Sequence, residues 1–139
     1  MKAVVIYWTG TGHTEEMANE IAGGLKSAGV ETDVLTCSEF SGDISGYDKV
    51  LLGCPSMGAE QLEDSEFEPM YENLKSALAG KSVAFFGPYG WGDGEWMRTW
   101  SDDAKSAGIT VFGGEGLAVQ EDESDMVAIC KKYGEDFAK

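Results

Sequence analysis

Ala3-Val4-Val5-Ile6-Tyr7-Trp8-Thr9-Gly10-Thr11-Gly12-His13-Thr14 is the stretch that decides how this chain folds. An unbroken apolar run over Ala3–Trp8 suits a strand buried on both faces, as in a parallel sheet. It stops at a cluster of hydroxyls and glycines, after which the periodicity changes. From Thr14 to Ala28, Met17, Ala18, Ile21, Ala22 and Leu25 recur at i, i+3/i+4 spacing, and Gly29 ends the pattern. Strand, glycine turn and amphipathic helix in that order open a βαβ unit.

The same alternation continues outward. Apolar runs at Lys49–Cys54, Ser82–Gly87 and Ile109 into Phe112 read as three further buried strands, and Glu31–Thr36 as a more exposed one. Helical spacing recurs over Ser65–Leu78, with Pro69 near the first turn, over Asp93–Ala107 and over Ser124–Ala138. Five strands alternating with four helices predict a doubly wound α/β domain over residues 1–139, with a parallel sheet and helices on both faces.

Composition narrows the function. The chain has 139 residues, enough to bury a core without disulfide or metal staples. Its formal net charge of −15 excludes nucleic acid and an anionic membrane surface as partners, since both need a basic patch. The three cysteines form no CxxC pair, so neither a disulfide framework nor a metal site is expected. Cys54, at the end of an apolar run, reads as a small buried hydrophobe. No stretch approaches a membrane span, and the N-terminus shows no cleavage pattern, so a cytoplasmic location is expected.

Ligands of such sheets sit outside the carboxyl ends of the strands, and unusual residues collect there. After the first strand, three threonine hydroxyls, two glycines and a helix N-terminus can surround a phosphate with donors. Thr14 alternatively reads as a simple N-cap. After the fourth strand, Tyr89 and Trp91 lie in a glycine-rich loop, where Trp91 suits stacking on a planar ligand. Trp96 and Trp100, further on, read as rim contacts with the next helix. A phosphate site and an aromatic platform together predict a mononucleotide bearing a flat ring. The pattern lacks the lysine of a P-loop, the third glycine of a dinucleotide site and the aspartates of a phosphoacceptor domain.

Three blocks in order carry a family resemblance: Tyr7-Trp8-Thr9-Gly10-Thr11-Gly12-His13-Thr14, Leu52-Gly53-Cys54-Pro55-Ser56-Met57-Gly58 followed by Glu66-Phe67-Glu68-Pro69, and Phe86-Gly87-Pro88-Tyr89-Gly90-Trp91-Gly92-Asp93-Gly94-Glu95-Trp96-Met97. The sequence resembles short-chain bacterial flavodoxins over essentially its whole length. That resemblance implies strand order 2-1-3-4-5. It also implies a low-potential one-electron carrier, not an enzyme, working through non-covalently bound FMN in its semiquinone/hydroquinone couple. Thr9, Gly10, Thr11, Gly12, His13 and Thr14 correspond to the phosphate loop. Pro55, Ser56, Met57, Gly58, Ala59 and Glu60 correspond to the loop on one face of the isoalloxazine, with Glu60 at its N3 edge. Pro88, Tyr89, Gly90, Trp91 and Gly92 correspond to the other face, and Gln120 to the ribityl side. Departures are His13 for the common asparagine, Pro88 for serine, and Ala59 for glycine or a polar residue. Pro88 is expected to remove one hydrogen bond to the flavin. The partners implied are redox proteins, with basic surfaces to match the acidic segments Glu60–Glu68 and Glu121–Asp125, and the carrier is expected to be a monomer. A small flavin-dependent reductase is the competing reading, against which the chain has no spare length for a second substrate pocket.

Overall fold

In a computed structural model that describes residues 1–10, 12–57, 61–90 and 92–139, the chain alternates strand and helix from end to end. The elements are β1 (Lys2–Tyr7), α1 (His13–Ser27), β2 (Glu31–Thr36), β3 (Lys49–Gly53), α2 (Phe67–Leu78), β4 (Ser82–Tyr89), α3 (Glu95–Ser106), β5 (Leu117–Gln120) and α4 (Met126–Phe137). All four pairings are parallel and the strand order is β2-β1-β3-β4-β5. This is the doubly wound arrangement the sequence predicts.

Alternation along β1 creates the two cores. Val4 and Ile6 face α2 and α3, together with Phe85, Tyr71 and Trp100. Ala3, Val5 and Tyr7 face the opposite way, into α1 and α4. Because both faces are covered, every residue from Ala3 to Tyr7 is buried, which accounts for the unbroken apolar run. Trp96 and Trp100 correct the expectation of rim contacts: they are 1% and 2% exposed and belong to the α2/α3 core. Trp100 stacks on Phe85 with ring centroids 4.0 Å apart, while Phe67 and Tyr71 meet it edge-on.

On the other face, α1 and α4 touch through glycines. A Cβ at Gly24 would fall on the Lys131 carbonyl oxygen, and one at Gly134 on the Ile21 carbonyl oxygen. Each helix offers a bare backbone patch to the other, so the two axes can approach closely.

The fifth strand differs from its predicted position. Ile109 and Val111 are buried, but Val111 makes one isolated bridge to Val83, supported by the Phe112 amide donating to the Val83 carbonyl at 2.8 Å. The chain then turns at Gly113-Gly114 and returns as β5, whose ladder runs beside Phe86–Tyr89. Burial in the α2/α3 core accounts for Ile109 and Val111, while Phe112 packs on the other face against Tyr133 and Phe137; a ladder accounts for none of them. β4 also runs two residues past its predicted end at Gly87.

Candidate functional site

Ladder hydrogen bonds bring the loops that follow β1, β3, β4 and β5 to one level. The Trp8 amide donates to the Gly53 carbonyl (3.0 Å), Cys54 to Phe86 (3.1 Å), Ser56 to Pro88 (3.1 Å) and Glu121 to Tyr89 (2.9 Å). The loops that begin at Thr9, Cys54, Gly90 and Glu121, far apart in sequence, therefore start side by side along the carboxyl edge of the sheet. Thr11, Gly58, Ala59, Glu60 and Trp91, all expected in the site, lie outside the described residues.

The first loop is built for an anion. Gly12 takes φ 98°, a left-handed conformation that a side chain resists, and stands at the N-cap of α1. Its amide donates to Thr9 Oγ1 at 2.9 Å, and its carbonyl accepts the first intrahelical bond, from Glu16. Thr14 is therefore not the N-cap; it sits 1% exposed in the first turn, and the helix begins one residue before its predicted start. Amides in this turn lack intrahelical partners and, with the helix dipole, favour negative charge. Glu15, in the same turn, is 3.3 Å from the Tyr7 hydroxyl, to which it is bonded. His13 faces Glu121, with Nδ1 3.5 Å from Oε2. His13, Pro88, Gln120 and Glu121 share a cleft of about 210 Å³.

The second loop is closed at its neck. Met57 and Gln61 exchange two backbone hydrogen bonds, 2.8 and 3.0 Å, across residues 58–60. Below that neck, Cys54 is fully buried, as expected. Burial pushes its thiol far above the usual range, and pushes Cys37 and Cys130 up to about 12.

Pro88 lies inside β4, not in the loop, and is buried. In this register an amide at 88 would donate to the Cys54 carbonyl, since the Cys54 amide already donates to Phe86 and Ser56 to Pro88. Proline has no such amide, and the Trp96 indole Nε1 donates to the Cys54 carbonyl in its place, at 3.4 Å. The missing N–H thus belongs to the ladder and is not a donor to a ligand. Gly87 is required beside it, because a Cβ there would fall on the same Cys54 carbonyl oxygen.

Tyr89 closes β4, half-buried against Trp96 with centroids 5.6 Å apart. Next to it, a Cβ at Gly90 would come within 2.7 Å of Glu121 Oε1, so the glycine lets that exposed carboxylate rest against the loop without turning away. Glu121 thereby touches both the phosphate loop, through His13, and the aromatic loop, through Gly90. Gly92 continues the loop, and Gly94 (φ 88°) caps α3 as Gly12 caps α1. Arg98 reaches back from α3 to Asp93 at 2.9 Å, so a cation does enter this loop and offsets one of its acidic residues.

Glu63 is the residue that sequence reasoning passed over. It sits in the acidic stretch taken as a partner-facing surface, yet it is 5% exposed. Its carboxylate accepts the amides of Ser65, Glu66 and Phe67, each at 2.8 Å, and the Ser65 hydroxyl. Burial opposes the charge, but these donors outweigh it and hold the carboxyl at about 2. With the Glu68 amide bonded to the Glu63 carbonyl and Pro69 lacking an N–H, the open start of α2 is fully satisfied. The Ser65-x-Phe67-x-Pro69 pattern just after Glu63 is the signal that could have found this cap.

Comparison with known proteins agrees with this geometry. A family model described as Flavodoxin matches residues 5–133. The chain is 43% identical over 136 residues to a flavodoxin from Megasphaera elsdenii, covering 97% of each chain. It is 39% identical over 135 residues to one from Clostridium beijerinckii, covering 96% of this chain and 97% of that one. Among solved structures, that of two-electron reduced Megasphaera elsdenii flavodoxin superposes with a TM-score of 0.87 at 42% identity, covering 98% of both chains.

Proposed function

Because this chain belongs to the flavodoxin family, whose members are FMN-binding electron carriers and not enzymes, we propose that the loops at the carboxyl edge of its sheet are where FMN is held. One observation carries this reading: the ladder aligns a glycine-capped helix N-terminus with the loops that follow β3 and β4, so that anion donors stand beside the two loops that would take a flat ring. The amide-rich turn 12–15 and Thr9 would take the phosphate. Met57 and the loop after Tyr89 would flank the ring, with Gln120 on the ribityl side. Bound FMN supplies one-electron chemistry, while the protein sets its potential and access.

Purified protein freed of flavin is expected to quench the fluorescence of added FMN at a 1:1 ratio. Reduced by dithionite, the complex should pass electrons to a haem protein and show no oxidation of NAD(P)H by itself. Turnover of NAD(P)H without a partner would favour the reductase reading instead.

The low potential follows from the acidic surroundings. A unit charge at ~10 Å in an effective dielectric of ~40 contributes about 0.8 kcal/mol, or roughly 35 mV for one electron. Glu121→Gln should raise the lower reduction potential by about that much, whereas replacing Asp93 and Arg98 together should leave it in place, because that pair carries no net charge. Partners with basic surfaces suit the exposed carboxylates at 121–125. Electron transfer to them is expected to slow steeply as ionic strength rises from about 0.01 to 0.3 M. A flat salt profile would remove that reading. Three free thiols, Cys54 and Cys130 buried and Cys37 half-buried, support a monomer working in a reducing compartment, the cytoplasm.

A further inference from the structure

The segment between β3 and α2 is fastened at two levels. At the upper level Met57 and Gln61 bond each other across residues 58–60. At the lower level the Glu63 amide donates to Cys54 Sγ at 3.4 Å, and the Cys54 thiol, kept protonated by burial, donates to the Pro55 carbonyl at 3.5 Å. Each end of the lower fastening is itself fixed. Cys54 is held by its amide to Phe86 and by Trp96 on its carbonyl. Glu63 is held through its carboxylate, which takes the first amides of α2, and through its carbonyl, which takes the Glu68 amide. The last rung of β3 and the first turn of α2 are thus joined through one buried acid.

We propose that Glu63, acting through Cys54, is a positioning residue for the loop between β3 and α2: it holds the two stems of that loop, residues 54–57 with Met57 and residues 61–63, in place before FMN binds. The proposal rests on the reading of the carboxyl-edge loops as the FMN site. Neither side chain touches the ligand in this scheme. Their contribution is to remove the ordering entropy that a loose loop would otherwise lose when the cofactor docks.

FMN and riboflavin, which lacks the phosphate, serve as probes in a fluorescence titration of flavin-free protein, at a temperature where circular dichroism shows every variant folded. A mere loss of stability leaves the Kd of folded protein unchanged. Glu63→Gln and Cys54→Val are expected to weaken both probes by about tenfold. Cys54→Ser, whose hydroxyl can accept the Glu63 amide, should stay within about threefold of the starting protein. Equal loss for both probes locates the defect at this loop and not at the phosphate loop. The proposal is overturned if Glu63→Gln and Cys54→Val bind as the parent does, if Cys54→Ser is as weak as Cys54→Val, or if FMN alone is affected. Failure of the parent protein to bind FMN overturns the site reading itself, and the proposal with it.

Discussion

Gly23→Ala and Gly24→Ala, adjacent substitutions on α1, should move stability in opposite directions. Alanine is the better helix former at both positions by about 0.5–1 kcal/mol, because it restricts the unfolded chain. At the exposed Gly23 a Cβ meets nothing within 4 Å, so that gain is realised in full. At Gly24 the new methyl would overlap the Lys131 carbonyl oxygen, and neither backbone can yield without shifting a whole helix. Overpacking of this kind costs about 1–3 kcal/mol, sometimes more; after the propensity gain of about 0.5–1 kcal/mol, a net loss of about 1–2 kcal/mol is expected. Gly134→Ala, which meets the Ile21 carbonyl from the other side, should behave like Gly24→Ala. Urea unfolding of flavin-free protein at neutral pH measures all three. A stabilised Gly24→Ala would show that α1 and α4 are not in backbone contact.

Glu63 predicts a specific acid sensitivity. Its carboxyl lies at about 2 in the folded protein, against about 4.3 in an unfolded chain, a difference of about 3 kcal/mol. Since the folded value is the lower one, this stabilisation is complete above the unfolded value and is lost as pH falls from about 4.5 toward 2. Between pH 6 and pH 3 roughly half of it should vanish. Glu63→Gln should be about 3 kcal/mol less stable at neutral pH and should lose less than the parent on acidification. The difference between the two unfolding curves isolates this carboxyl from the other acids. Parallel curves for parent and variant would show that the carboxylate is not charged within its ring of amides.

The elements that sequence reasoning read correctly are those whose pattern reports burial on a regular lattice. β1 is apolar on both faces because both faces are covered, and α1 repeats its apolar residues because one side meets the sheet. The misplaced fifth strand shows where this stops. Ile109 and Val111 are as buried as strand residues, but apolar content records burial and not ladder pairing, whereas Leu117–Gln120 pairs although its apolar run, Leu117-Ala118-Val119, is only three residues long. In the site, the phosphate loop was legible because hydroxyls, glycines and a helix start crowd into six residues. Glu63 was not, because a buried capping carboxylate and a solvated one look alike within an acidic run. Nor were Gly24 and Gly134, since helix glycines gain their meaning only from the partner backbone opposite. Trp96 substituting for the amide that Pro88 lacks joins a helix residue and a strand residue through the carbonyl of a third residue, Cys54, a relation that linear spacing does not display.

The state of the three thiols bears on how long such a carrier survives its own work. Reduced flavin passes electrons to dissolved oxygen, and the peroxide formed attacks thiolates, not thiols. Cys37 and Cys130 are held at about 12 and Cys54 higher still, so at neutral pH almost none of this sulfur is in the reactive form. Peroxide formed beside such a chain is therefore expected to find little thiolate to attack. Packing that hides Cys54 beyond β3 and Cys130 within α4 thus doubles as a shield for their sulfur against by-products of the electrons the carrier handles.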